Sequence, residues 1–320
     1  MPRGIGSVFG LAISGLHGRG GSIFGIDFAF GSDGVDALYG DGAAPVAAGS
    51  PLGDDVLAGF GGDDLIVGDA AGLVPAAGLT PATSPATFAG DDLIYGGDGD
   101  DVIYGDFQAD PSSLYAVHLG DDVIYGGAGD DTIYTDAVGV LADAVGDNLA
   151  YGGAGDDRLR GGEGIDLLYG GDGDDVIYAD GQSGTAPGAA PTFNLLDGGD
   201  GADRLYGGAG EDALYGGKGD DVLGGEGGDD LLVGGKGADE FEYFMGGGAD
   251  LILDFTPGED RLVLISDFGA PLPASDFAGI LALSVDLGRD LRIDLGGGAG
   301  VTLARIDADD LSASDFLIVA

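Results

Sequence analysis

The chain is 320 residues long and carries 57 acidic against 11 basic side chains, a formal net charge of −46, with 70 glycines and no cysteine. That charge excludes nucleic acid as a partner, because it would repel a phosphate backbone, and the missing cysteine excludes a disulfide framework. No stretch approaches the roughly 20 apolar residues of a membrane-spanning helix.

Residues 1–30 contain no repeat. Within them Phe24, Ile26, Phe28 and Phe30 alternate with smaller or polar residues, which predicts a strand capping whatever follows. No amino-terminal secretion leader is expected, since Gly6, Gly10 and Gly15 break the apolar run and no small-x-small cleavage site follows.

From residue 31 to residue 242 one nine-residue phrase, Gly-Gly-x-Gly-x-Asp-x-aliphatic-x, recurs seventeen times. The cleanest copies read GGDGDDVIY at 96–104 and 170–178, GGAGDDTIY at 126–134 and GGDGADRLY at 198–206. Glycines at the first, second and fourth positions are expected to allow a tight turn closed to residues with a Cβ. The last three positions then form a short strand whose middle residue points inward. That residue is aliphatic from Leu38 to Leu232, with Ala150 the main lapse and Phe241 closing the row. Three residues cannot bury enough surface to stand alone, so each phrase must stack on others as in a solenoid.

The phrase resembles the nonapeptide of the RTX (repeats-in-toxin) family, a calcium-binding repeat, and the resemblance covers about two-thirds of the chain. It implies an all-β, right-handed parallel β-roll, a β-solenoid with two phrases per turn, in which calcium lies between sixth-position aspartates of successive turns. The metal ligands so implied are Asp36, Asp55, Asp64, Asp92, Asp101, Asp122, Asp131, Asp157, Asp166, Asp175, Asp203, Asp212, Asp221, Asp230 and Asp239. Expected pairs are Asp203 with Asp221, Asp221 with Asp239, and Asp212 with Asp230. Asn148 and Asn194 replace the acid in two copies, which predicts weaker half-sites there. Fifth-position acids such as Asp100, Asp130, Asp156 and Asp174 read as solvated charges on the outer rim.

Calcium takes six to eight oxygen ligands, and turns rich in glycine expose carbonyls beside these carboxylates. Without counter-ions so acidic an array repels itself, so folding is expected to depend on calcium.

Five copies are stretched, at 42–52, 70–89, 107–119, 137–145 and 181–191, and all five are even-numbered. With two phrases per turn these loops emerge from one edge, either as neutral spacers or as a contact surface. Ten of the twelve tyrosines occupy the ninth position, which predicts ladders with rungs about 4.8 Å apart. Such ladders stabilise sheets through cross-strand packing, while contiguous exposed apolar surface also marks association.

Residues 243–320 lose the repeat and are expected to form a β-sandwich-like cap. The segment 249–265 resembles the part that closes the roll in secreted RTX proteins, and the ending DFLIVA resembles an uncleaved type I secretion signal. The expected organisation is an N-terminal capping segment at 1–30, a β-roll at 31–242 and a C-terminal cap with secretion signal at 243–320.

No catalytic pattern emerges. His17 and His118 lack the His-Glu-x-x-His spacing of a zinc protease, no Gly-x-Ser-x-Gly elbow is present, and the acids already have a calcium role. The reading is a secreted, extracellular, non-enzymatic structural, adhesive or filament-forming protein. Its expected partners are calcium ions and either further copies of itself or a cell or polysaccharide surface. The alternative is a cryptic enzyme or carbohydrate-binding module using the loop-bearing edge.

Overall fold

The computed structural model describes residues 28–30, 37–39, 56–62, 64–71, 87–88, 90–108, 117–118, 120–136, 146–180, 193–266 and 276–319. They fall into two compact units, Met1–Gly164 with Gly181–Gly188, and Ile165–Asp180 with Ala189–Ala320.

In the first unit the chain alternates between two parallel sheets, one for each parity of the repeat. One sheet stacks Phe28–Phe30, Val56–Gly61, Leu93–Asp98, Val123–Ala128 and Leu149–Ala154. The other stacks Ala37–Tyr39, Leu65–Ala71, Val102–Gln108, Thr132–Tyr134 and Arg158–Gly162. Register follows the phrase position by position: Val123, Ile124 and Tyr125 lie opposite Leu93, Ile94 and Tyr95.

The second unit repeats this arrangement. Leu167–Asp172, Leu195–Asp200, Ala213–Lys218, Leu231–Lys236 and Ala249–Ile252 form one parallel stack. Val176–Asp180, Arg204–Ala209, Val222–Gly227, Glu240–Phe244 and Arg261–Ile265 form the other. Each unit is thus a β-roll. Many strands run to six residues, from the seventh position through the third of the next copy, because the first three positions continue the ladder before the chain turns.

Eighth-position side chains form the core. Leu57, Ile94, Ile124, Ile133, Leu196, Leu205 and Leu214 are fully buried. Each removes a single aliphatic side chain from water, worth about 1.5–3 kcal/mol, so no strand is stable without its neighbours above and below.

The glycines divide by cause. The second and fourth positions have left-handed backbone, as at Gly97 (φ 131°) and Gly99 (φ 136°). First-position glycines do not; there a Cβ would collide with neighbouring oxygens. At Gly207 it would lie 2.6 Å from Asp212 Oδ2 and 3.0 Å from the Gly225 carbonyl oxygen. In intact copies the first glycine answers to crowding and the next two to conformation, although Thr135 and Ala179 stand at the first position of two interrupted copies and Phe60 (φ 82°) and Glu226 (φ 68°) hold the second position elsewhere.

The ladder also extends past the seventeen recognisable copies. Phe28–Phe30 pairs in register with Val56, Leu57 and Ala58, so it occupies strand positions of a preceding copy. Leu251 and Ile252 pair with Leu231 and Leu232, and Leu262 with Phe241, continuing both stacks.

Beyond them lies the cap. Ala299–Leu303 adds to one sheet in parallel, and Leu291–Gly296 and Ser284–Asp286 continue it antiparallel. Phe316–Val319, within the DFLIVA ending, adds to the other sheet beside Arg261–Ile265. One helix, Phe277–Leu283, starts at Asp276, whose side chain accepts the Gly279 N–H at 2.8 Å. Ile280, Leu291, Ile293, Val301 and Leu303 are buried together in this segment. The cap is therefore an antiparallel extension with a helix, where a β-sandwich-like element was expected.

Most loop residues, the first twenty-seven residues with His17, and the metal-ligand candidates Asp36 and Asp55 lie outside the described residues. Within the loops, Thr87–Phe88 pairs with Val117–His118, setting parts of two loops side by side.

Candidate metal centre

Each rung of the roll is built from one sixth-position aspartate per turn. The strand that follows fixes its backbone: the Val222 N–H donates to the Asp203 carbonyl at 2.8 Å, and the Glu240 N–H to the Asp221 carbonyl at 2.8 Å. The carboxylate of the next turn then reaches back. Asp221 Oδ1 accepts the Asp203 N–H at 2.8 Å, Asp239 Oδ1 the Asp221 N–H at 3.0 Å, and Asp230 Oδ1 the Asp212 N–H at 2.9 Å. The first unit repeats this, with Asp131 Oδ1 accepting from Asp101 and Asp157 Oδ1 from Asp131, both at 2.8 Å. A side chain that must reach the backbone one turn away at this length is served by aspartate or asparagine alone, which accounts for the residue type.

Oδ1 is thus satisfied, and Oδ2 is not. Asp131, Asp203, Asp212, Asp221 and Asp230 each bury Oδ2 without a hydrogen-bond partner. These oxygens face the first-position glycine, where a carbonyl oxygen of the next turn also converges. Beside Gly198 the Asp203 Oδ2 and the Gly216 carbonyl crowd the space a Cβ would fill. Burial of an ionised carboxylate without a partner is costly. Loss of water accordingly pushes the carboxyls up, to about 8 for Asp212, about 7 for Asp131 and Asp157, and about 6 for Asp203, Asp221, Asp230 and Asp239. Backbone N–H donors pull the other way in each case without cancelling the effect.

Orphaned carboxylate oxygens next to converging carbonyls suit a hard divalent cation, which takes its ligands from both. Among the described residues no three acidic, histidine or cysteine side chains gather at one point. Any such ion would therefore draw much of its coordination from backbone.

Thirteen of the fifteen candidate ligands are described, and all thirteen are buried: Asp64, Asp92, Asp101, Asp122, Asp131, Asp157, Asp166, Asp175, Asp203, Asp212, Asp221, Asp230 and Asp239. Three expected pairs, Asp203 with Asp221, Asp221 with Asp239 and Asp212 with Asp230, are in direct contact. Asn148 and Asn194 occupy the same positions, accepting the Asp122 and Asp166 N–H groups through Oδ1, each at 2.9 Å.

The row continues through two acids that sequence reasoning missed. Asp250 accepts the Asp230 N–H at 3.4 Å, and burial pushes its carboxyl up to about 8. Asp260 accepts the Asp239 N–H at 3.0 Å, but its Oδ2 takes the Thr256 N–H at 2.7 Å, which satisfies both oxygens. The signal was present as GGGADLIL and PGEDRLV, degenerate phrases that keep the fourth-position glycine, the acid and the inward aliphatic.

The rim acids are also more ordered than solvated charges. Asp100 Oδ1 accepts the Asp130 N–H, and Asp130 Oδ1 the Asp156 N–H, both at 2.9 Å. They remain exposed and form a second ladder that reaches forward along the chain where the buried one reaches back.

Comparison with known proteins agrees with this geometry. The family described as RTX calcium-binding nonapeptide repeat (4 copies) matches residues 52–71, 89–110, 119–137, 151–186, 192–223 and 212–241. The chain belongs to that family and is a calcium-binding β-roll protein. Among solved structures it is similar to the extracellular lipase LipA from Serratia marcescens, at 21% identity and a TM-score of 0.26, over 80% of this chain and 45% of that chain. This chain therefore spans less than half the length of that enzyme. No curated protein matches the sequence.

Proposed function

We propose that this chain is a secreted, extracellular calcium-loaded β-roll that serves as a structural, adhesive or filament-forming component and folds as its rungs are neutralised. The observation that carries the reading is the repeated burial of a carboxylate Oδ2 with no hydrogen-bond donor, at Asp131, Asp203, Asp212, Asp221 and Asp230. Calcium supplies the positive charge these oxygens lack. The sixth-position acids hold it together with the carbonyls that converge beside the first-position glycines. Among the candidates Asp36 and Asp55 extend the same set toward the amino terminus.

The roll occupies residues 31–242, flanked by a capping segment at 1–30 and the C-terminal cap and type I secretion signal at 243–320. On this reading the chain crosses to the outside unfolded, where calcium is scarce behind it and abundant ahead. It is not an enzyme, because its carboxylates are committed to rungs. Titration with calcium, followed by circular dichroism and light scattering, tests the proposal. A gain of β signal with calcium followed by growth in particle size is expected; an equally ordered protein in excess chelator would overturn it.

A further inference from the structure

All five interrupted copies carry an aspartate where intact copies have the second glycine, namely Asp41, Asp69, Asp106, Asp136 and Asp180, and the side chains of the last three are described. In two of them asparagine replaces the sixth-position acid just after the loop, Asn148 after Asp136 and Asn194 after Asp180. Both asparagines are buried, at 1% and 0% exposure. In these two copies, unlike those ending in Asp55, Asp92 and Asp122, the sixth-position acid is lost while another is present at the second position.

The geometry gives the pairing a physical meaning. Asn148 uses Oδ1 as an aspartate would, on the Asp122 N–H, while its Nδ2 donates to Asp136 Oδ1 at 3.0 Å and to the Gly146 carbonyl at 3.1 Å. Asn194 repeats this, with Oδ1 on the Asp166 N–H and Nδ2 donating to Asp180 Oδ1 at 3.4 Å. An N–H donor thus takes the place of the carboxylate oxygen that is orphaned in the acid rungs. In Asn148 the two hydrogens point at a carboxylate and a carbonyl, the oxygen types a cation would use, and Asn194 has the carboxylate contact. Amide hydrogens repel a cation, so ion and amide exclude each other. The copy with Asp122 differs: Asp106 Oδ2 accepts the Gly120 N–H at 2.8 Å, and the sixth-position carboxylate stays as a second charge.

We propose that Asp136 with Asn148, and Asp180 with Asn194, form metal-free rungs in which an amide–carboxylate hydrogen bond replaces the divalent ion and closes the base of a loop. The inference rests on the calcium reading above. It implies that the loop-bearing edge binds fewer ions than it has gaps, and that Asp136 with Asn148 and Asp180 with Asn194 stay paired even when calcium is absent.

Bound calcium per full-length chain, measured by atomic emission at fixed free calcium, tests this on four variants. D131N, at an acid rung, should lose calcium relative to the native chain. N148D places two carboxylates in the rung and should gain about one ion. The exchanged variant D136N/N148D restores an amide–carboxylate pair and should return to the native count, which keeps the test decisive if N148D alone folds poorly. D136N should leave the count unchanged. Loss of an ion in D136N would overturn the proposal, since that carboxylate would then be a ligand of a relocated site, and so would an unchanged count in a folded N148D. If the native chain and D131N both bind none, the calcium reading itself fails and takes the metal-free rungs with it.

Discussion

In the second unit, the repeats and the cap bury different things. Between Leu195–Asp200 and Glu240–Phe244 each strand contributes one enclosed eighth-position side chain, joined in the last strand by Tyr243, and the turn before it contributes one buried carboxylate or asparagine. From Arg261 onward the apolar contribution thickens. Leu262, Val263 and Leu264 are buried in a single strand, and Ile280, Leu291, Ile293, Leu295, Val301 and Leu303 are enclosed beyond it. The carboxylates there end in ordinary hydrogen bonds: Asp260 accepts from Asp239 and Thr256, and Asp315 from Gly258 at 3.0 Å and Ser312 at 2.6 Å. The comparison teaches that a parallel stack can bury a row of carboxylates beside its hydrocarbon core and then give way, toward the carboxy-terminal end, to a segment that buries hydrocarbon and hydrogen-bonded acids.

Removing the cation should break the comparison most completely. At a ligand concentration about a hundredfold above the dissociation constant, each occupied site adds about 2.7 kcal/mol to the folded state, and on the proposed function the repeats offer several such sites. In excess chelator the repeats are expected to lose their β signal while amides of Leu291–Gly296 and Ala299–Leu303 keep measurable protection from hydrogen exchange. Uniform loss, or uniform retention, across both regions would show that they are not stabilised differently.

Acid should do part of the work of calcium. Burial raises the folded values of Asp131, Asp157 and Asp212 to about 7, about 7 and about 8, from an ordinary value of 3.8. A carboxyl whose value is higher folded than unfolded binds its proton more tightly in the folded state. Stability is then fully present below about pH 4 and is lost as pH rises through about 6 to 8. The chelated protein is expected to gain β signal as pH is lowered from 9 to 5, and saturating calcium should flatten that dependence. An increase of order with rising pH in chelator would contradict the burial of these carboxylates.

A single methyl group sharpens the contrast further. In Gly216→Ala the new Cβ would lie 2.5 Å from the Gly234 carbonyl oxygen and crowd Asp221 Oδ2. Overpacking of this kind costs about 1–3 kcal/mol, sometimes more, and it fills the space beside a rung. Gly296→Ala in the cap meets nothing within 4 Å and is disfavoured only by its φ of 97°, worth about 1–2 kcal/mol. The first substitution should raise the calcium concentration needed for folding, and the second should lower thermal stability without moving that midpoint.

The buried row was legible because its causes are local. Aspartate six places into a nine-residue phrase, with an aliphatic two places later, fixes both the inward residue and the acid of each rung. Thus Asp203, Asp221 and Asp239 were found together with Leu205, Leu223 and Phe241. The metal-free pairs were less legible, because Asp136 and Asn148 are separated by a loop and meet only once the strands on either side are stacked. Asp250 and Asp260 are hard to read because their copies lack glycines; Met245 stands at the first position of one, and Phe255 and Thr256 at the first and second of the other. The reason for the first-position glycine is not legible in the phrase either, since crowding by the next turn is a contact that no single phrase contains.

The tyrosines give the smallest expected effect and separate packing from recognition. Tyr95, Tyr125 and Tyr151 stack with ring centroids 5.0 and 5.1 Å apart and interplanar angles of 6° and 4°. Both faces of Tyr125 are therefore covered by its neighbours, and only ring edges and hydroxyls are left to a partner. A sugar ring binds an aromatic through its face, so the middle of this ladder suits stiffening better than polysaccharide binding. Stacked pairs contribute about 0.5–1.5 kcal/mol each beyond burial, so Tyr125→Leu, which keeps apolar area but not the stack, should lower the calcium-loaded melting temperature by a few degrees, at about 2–4 °C per kcal/mol. Retention on an immobilised polysaccharide, if the native chain shows any, should not change. Were Tyr125→Leu to abolish that retention while leaving the melting temperature untouched, the ladder would be a recognition face, and the carbohydrate-binding alternative would replace the structural reading.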